Sequence, residues 1–248
     1  MKFREFGDRN RPTVILLHRE GLSWWSLEGV IRRLEENYHV VAPVIDGHGE
    51  DGTTAFVSIQ NSAQKLIRYI DANCRGSVFA VGGLCLGAQI AVEILSRRTD
   101  IAKYAVLESA AVCPAGKIGR LLAPVCGLFG WFAVRNRWVA GILAKRFRFP
   151  EERFDRYYRD GLGTSGKSLL RAGRASRTYS VPDGIRNTTA KVLVIVGTRE
   201  LRRMDRSVRK LMSAVPVCEV CVAPGTRRGE FTLVRPMEYL ALLKHLMK

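Results

Sequence analysis

The sequence predicts an α/β protein: a mostly parallel sheet with helices on both faces and a helical insertion before the last two strands. Three observations carry this. Unbroken apolar runs at Thr13-Val14-Ile15-Leu16-Leu17-His18, Tyr38 to Ile45, Ser77 to Leu84 and Ile101 to Leu107 read as strands buried on both faces. Segments of helical periodicity separate them, and alternation of this kind builds parallel sheets covered on both sides. The alternation then lapses for about eighty residues, far beyond an ordinary connection, before it resumes at Lys191. A chain of 248 residues, 47% hydrophobic, can bury one substantial core.

The elements follow in order. Ser23 to Asn37 places Trp24, Leu27, Val30, Ile31 and Leu34 on one helical side. Asp46-Gly47-His48-Gly49 is a loop, and Ile59 to Ala72 a helix through Ala63, Leu66, Ile67 and Ile70. Cys85 to Arg97 is a helix, and Glu108-Ser109 closes the fourth strand. Residues 111–188 read as a helical cap broken at Pro124, Pro150, Gly161 to Gly166 and Pro182. Residues 1–110 and 189–248 then form the core. The second part supplies a strand at Lys191 to Val196, a helix at Arg202 to Ala214, a strand at Cys218 to Ala223 and a closing helix at Pro236 to Met247.

Charge is uneven along the chain. The net charge is +17, yet residues 1–113 carry 13 basic and 13 acidic residues. Residues 114–190 carry 15 and 5, and residues 191–248 carry 12 and 5. The excess reads first as a solvated, arginine-rich surface. Its sharper reading is attraction to anionic ligands, membrane surfaces or nucleic acid. No nucleic-acid motif accompanies it, so no nucleic-acid partner is expected. The N-terminal residues lack an apolar signal region, and the longest apolar stretch, Leu121 to Val134, is too short to span a bilayer. With Arg135 and Arg137 beside it, that stretch would suit an interfacial helix; covering a pocket is its simpler use. Six cysteines without a secretion signal suggest reduced thiols in a cytoplasm. Cys218-x-x-Cys221 lies in a strand whose period of two sends the two thiols to opposite faces, which argues against a metal or redox pair. No metal or cofactor is expected.

The stretch Gly83-Leu84-Cys85-Leu86-Gly87 carries the chemistry. A nucleophile at a sharp strand-to-helix corner needs neighbours without bulk two places away on each side. The helix N-terminus beneath it favours negative charge, including a thiolate.

With Leu16-Leu17-His18…Gly21, Asp46-Gly47-His48-Gly49, Gly83 to Gln89, Val194-Ile195-Val196-Gly197 and the loop Pro224-Gly225 to Gly229-Glu230-Phe231, the chain resembles the α/β-hydrolase family over essentially its whole length. The short N-terminus implies that the opening antiparallel hairpin of larger members is trimmed. The resemblance implies a nucleophile, an acid and a histidine in chain order. The nucleophile maps to Cys85, where the family usually has serine. The acid maps to Glu200, with Glu108 as a second candidate. The histidine position, just before Gly-Glu, holds Arg228, and arginine cannot accept a proton in the working pH range. His18 and His48 remain as substitute bases or as satisfied loop histidines. The oxyanion hole implied by the family uses the amide of Leu86 and one from the turn His18-Arg19-Glu20-Gly21, where Glu20 brings negative charge.

Two function classes follow. One is an acyl, ester or thioester hydrolase with a degenerate Cys85, Glu200, Arg228 triad and weak or absent turnover. In it, Arg228 and the helix N-terminus would favour the Cys85 thiolate, and deacylation would lack a base. The other is a non-catalytic protein whose pocket, lined by Arg19, Glu20, Arg199 and Arg228, holds a small carboxylate- or phosphate-bearing molecule.

Overall fold

A computed structural model describes residues 1–116, 131–132, 135–146 and 151–247. The stretch Leu121 to Val134, read above as pocket cover or interfacial helix, lies outside the described residues except for Trp131 and Phe132, and the breaks at Pro124 and Pro150 lie outside them entirely.

The strands are β1 (Lys2–Phe6), β2 (Thr13–Leu17), β3 (His39–Val44), β4 (Val78–Leu84), β5 (Ala102–Glu108), β6 (Lys191–Gly197) and β7 (Cys218–Ala223). They form a seven-stranded sheet in the order β1-β3-β2-β4-β5-β6-β7. All pairings are parallel except β1 with β3, where Lys2 stands opposite Val44 and Phe6 opposite Val40. β1 escapes the sequence signal because Lys-Phe-Arg-Glu-Phe carries three charges on an edge strand. It pairs directly with β3. Phe3 stacks on Tyr69 with ring centroids 3.9 Å apart, which holds it there.

The helices are α1 (Glu28–Leu34), α2 (Ile59–Asn73), α3 (Leu86–Arg97), α4 (Arg137–Arg146), α5 (Phe154–Gly163), α6 (Gly166–Thr178), α7 (Leu201–Ala214), α8 (Phe231–Val234) and α9 (Pro236–Leu246). The segment expected as one helix from Ser23 opens instead as a short 3-10 turn over Trp24–Leu27 and becomes α-helical only at Glu28. α2 is amphipathic as read, with Ile59, Ala63, Leu66, Ile67 and Ile70 buried and Ser58 accepting from the Asn61 amide at its start.

Each sheet face covers its own core. Ile15, Val41, Val81, Leu107 and Val194 pack beneath α2, α3 and α7. Leu16, Val40, Ala80, Val106 and Ile195 pack on the other side with α1 and α9. Cys218 packs with the first set and Cys221 with the second, so the two thiols stand on opposite faces of β7. The intervening residues carry α4, α5 and α6 between β5 and β6. They are fastened to the loop after β3: Ser165 N donates to Gly47 O at 3.0 Å, Gly49 N to Thr164 Oγ1 at 3.2 Å, and Phe56 N to Ser168 Oγ at 3.0 Å. A small cluster of Leu22, Trp25, Ala140, Ala144 and Tyr157 joins α4 and α5 to the loop after β2. These helices thus stand over the carboxyl end of the sheet, where β2, β4, β5 and β6 deliver their loops.

Candidate functional site

β4 carries Cys85 to the carboxyl edge of the sheet, and the chain turns there into α3 without an intervening loop. Cys85 has φ 50° and ψ −105°, a region that costs a non-glycine residue on the order of 1–3 kcal/mol. The surrounding structure enforces it through close backbone approach. A Cβ on Gly83 would lie 2.4 Å from the Gly87 carbonyl carbon, and one on Gly87 would lie 2.4 Å from Leu17 O. Cys85 N donates to Glu108 O at 2.9 Å, and Cys85 O accepts from Gln89 N at 3.0 Å. The side chain is fully buried.

Three loops face the sulfur. From the loop after β7, Gly229 (φ 61°) packs so closely that a Cβ on it would stand 2.7 Å from Cys85 Sγ. Its neighbour Arg228 donates a hydrogen bond to the sulfur and faces Glu20 and Glu200. From the loop after β6, Glu200 is buried at the start of α7; its Oε1 accepts from Ser109 Oγ at 2.5 Å and from Gly197 N at 3.1 Å. Ser109 Oγ in turn accepts from Gly229 N at 2.9 Å. Ser109, with φ 54°, thus links the carboxylate to the loop bearing Arg228. The sequence reading passed over it; its one signal is its place directly after a strand-ending glutamate.

The loop after β2 supplies Glu20. Its Oε2 accepts from Leu86 N at 3.4 Å, and the carboxylate also accepts from its own backbone amide. The Leu86 amide expected in an oxyanion hole, and within the facing turn the amide of Glu20, therefore point at a carboxylate of the protein itself. Burial alone would push the Glu20 carboxyl up, but Arg228, Arg19 and these amides together hold it below the ordinary carboxylate range. Arg19 turns across the site, with Nη1 donating to Arg228 O at 3.1 Å.

The other candidates separate. Glu108 faces α8: Oε1 accepts from Phe231 N at 2.9 Å and Oε2 from Thr232 N at 3.1 Å and from Thr232 Oγ1. Burial pushes its pKa up to about 7 against those bonds. Its carboxylate fastens a helix start, and only its backbone carbonyl meets Cys85, accepting from the Cys85 amide. His18 is held at both nitrogens, Nδ1 by Arg19 O at 2.8 Å and Nε2 by Ile45 N at 3.0 Å. Burial, helped by His48, drops its pKa to about 3. His48 Nδ1 binds Asp46 O at 3.0 Å, and burial lowers its pKa too. Both are neutral loop histidines.

The thiolate expectation fails. Burial pushes the Cys85 thiol up to about 12, with Glu20 and Glu200 adding to that rise, and the opposing pull of Arg228 and Arg19 is too small to reverse it. Arg228 lies above the ordinary guanidinium value, raised by the sulfur, Glu20 and Glu200 against burial. Near neutral pH the sulfur is protonated, so the charges that face that cation are the carboxylates of Glu20 and Glu200.

A cavity of about 760 Å³ opens beside the centre, lined among others by Cys113, Ser176, Arg199, Glu200, Arg203 and Arg228. Arg199 and Arg228 line it as expected. Arg19 and Glu20 do not, because Glu20 is drawn to the Leu86 amide and Arg19 to the Arg228 carbonyl. Among the described residues no group of three or more His, Cys, Asp or Glu could hold a metal ion, and no helix is long and apolar enough to cross a membrane.

The arrangement coincides with known folds. The chain is similar over its full length to a putative alpha/beta hydrolase family protein from Desulfitobacterium hafniense, at 19% identity, full coverage of both chains and a TM-score of 0.82. It is similar to the enol-lactonase from Burkholderia xenovorans LB400, at 14% identity, covering 99% of this chain and 95% of that one, with a TM-score of 0.81. A thermophilic esterase from Thermogutta terrifontis matches at 17% identity, covering 100% and 94%, with a TM-score of 0.73. None of the curated proteins compared with the chain matches it. The family model of the alpha/beta hydrolases matches residues 14–241. With the elbow at Cys85 and the sheet order that presents it, the chain belongs to the alpha/beta hydrolase family.

Proposed function

We propose that this family member does not sustain hydrolysis at Cys85 and instead binds a small anionic molecule in the cavity beside Arg228. One observation carries the reading: the Glu20 carboxylate accepts the Leu86 amide at 3.4 Å. Acyl transfer builds negative charge on the carbonyl oxygen, and the amides that would stabilise it must be free to donate. Here they face a carboxylate that Arg228 and Arg19 keep ionised. An incoming oxyanion would have to displace Glu20 or meet its charge.

The remaining chemistry points the same way. Attack by Cys85 requires removal of a proton from a thiol with a pKa of about 12, and Arg228, in the place where the family resemblance puts histidine, cannot take it. Water would face the same lack of a base in deacylation. What Arg228 offers is a cation: its Nε and Nη2 are buried without hydrogen-bond partners on the wall of the cavity. A carboxylate or phosphate oxygen would satisfy them. In this reading residues 111–188 act as a cap, supported by Cys113 to Gly116, Ser176 and Arg177 on the cavity wall. The described cysteines are free thiols, which supports the cytoplasmic placement.

A nitrophenyl-ester time course with wild type and Cys85→Ala tests the reading. No sustained release above the Cys85→Ala background is expected. Continuous turnover that Cys85→Ala abolishes would establish a working cysteine hydrolase and sink the proposal.

A further inference from the structure

Six arginines line the cavity, Arg177, Arg199, Arg203, Arg206, Arg227 and Arg228, against the one carboxylate of Glu200. Arg203 and Arg206, three residues apart, share one face of the first turns of α7, and Arg199 lies just before the helix on the same cavity wall. Their guanidinium groups make no hydrogen bond or ion pair with the described residues. Several arginines elsewhere on the surface are paired, Arg32 with Glu28 and Glu35, Arg98 with Asp71, Arg137 with Asp155 and Arg235 with Glu238. On α7 itself Asp205 is paired with Arg209, both of its oxygens 3.0 Å from Nε, and neither residue lines the cavity. The general reading of a solvated arginine-rich surface explains scattered arginines, paired or not, but not six of them with one carboxylate on one concave wall.

Like charges gathered on one wall repel, and a ligand of opposite charge relieves that repulsion. A single carboxylate is too small to do so: it accepts one bidentate guanidinium and neutralises one charge. A phosphate carries about −1.5 to −2 near neutral pH and three acceptor oxygens. Two linked phosphates match the distribution, one beside the buried Nε and Nη2 of Arg228 and one along Arg199, Arg203 and Arg206 at the start of α7, where the helix dipole adds positive potential. Resting on the anion-binding reading above, we infer that the ligand of this cavity is a small molecule bearing a diphosphate. The volume of about 760 Å³ leaves room for an organic group attached to it.

Calorimetric titration of the full chain with pyrophosphate, inorganic phosphate and malonate tests this, with wild type and Arg203→Ala/Arg206→Ala. Pyrophosphate is expected to bind at least tenfold more tightly than either other anion. The double variant, checked for an unchanged melting temperature, is expected to weaken pyrophosphate at least tenfold and phosphate by much less. Arg32→Ala/Arg33→Ala, which removes two exposed arginines remote from the cavity, is expected to bind as wild type does. Equal affinity for pyrophosphate and phosphate, or a double variant with unchanged pyrophosphate binding, overturns the diphosphate assignment and leaves a simple anion site at Arg228 standing. No binding of any of the three overturns both readings. Tighter binding of a short single-stranded oligonucleotide than of pyrophosphate would replace the small molecule with nucleic acid.

Discussion

The elbow and the loops that face it have followed different rules. At the elbow, the course of the chain is fixed by backbone contact. Gly83 lies against Gly87, Gly87 against the carbonyl of Leu17, and Cys85 is held at φ 50° between hydrogen bonds from both sides. The facing loops carry Glu20, Ser109, Glu200 and Arg228 in contacts made by side chains. Backbone packing of the first kind is needed for the fold itself. Side-chain chemistry of the second kind can change while the sheet stays in place. A family geometry can therefore persist around a centre whose charges oppose the family chemistry.

The largest expected effect comes from reversing those charges. Glu20→Gly/Arg228→His frees the Leu86 amide and puts an imidazole between Cys85 and Glu200. General-base catalysis contributes about 10²–10⁴-fold and one oxyanion donor about 10²–10³-fold. The double variant is expected to hydrolyse a nitrophenyl ester on the order of 10³-fold faster than wild type. Each single variant should fall well short, because groups that act as one unit do not add. A double variant as inert as wild type would show that something other than these loops limits the site.

A smaller effect, on stability, probes the elbow. Gly87→Ala places a methyl 2.4 Å from a backbone oxygen that cannot swing away, so β2 or α3 must shift. A cost of about 3 kcal/mol is expected, read from the midpoint of chemical denaturation. Arg228→Met, also buried but held by side chains, should cost less. Similar losses would erase the distinction between a packed elbow and replaceable loops.

The same distinction decides what the sequence made legible. Apolar runs and glycine spacing report backbone packing, so the strands from β2 to β7, the elbow and the opposed faces of Cys218 and Cys221 could all be read directly. β1 could not, because an edge strand with three charged or basic residues in five carries little apolar signal. At the site, residue types at Cys85, Glu200 and Arg228 were readable, and so was the unwelcome charge of Glu20. Their couplings were not. The bond of Glu20 to the Leu86 amide and its electrostatic coupling to Arg228 join residues far apart in the chain, and no local pattern states that a carboxylate will fold back onto its own amide. Nor does a helix start reveal how deeply the thiol above it is buried, and here burial outweighs the pull of Arg228 and Arg19.

The smallest effect tests that balance directly. With a pKa of about 12, the Cys85 thiol is almost wholly protonated at pH 8, so its alkylation by iodoacetamide should rise about tenfold per pH unit through the alkaline range without a plateau near 8. Glu20 adds to the rise, so Glu20→Gln removes a charge that disfavours thiolate and should move the profile to lower pH, giving about tenfold faster labelling at pH 8. Arg228 acts in the opposite sense, and Arg228→Met should move the profile upward and slow labelling. Because access to a buried sulfur also affects absolute rates, the position of each profile along the pH axis is the decisive reading. A wild-type thiol that titrates near 8 would mean that Arg228 and α3 overcome burial. The elbow would then hold a nucleophile ready for acyl transfer, and the contrast with the facing loops would rest on Glu20 alone.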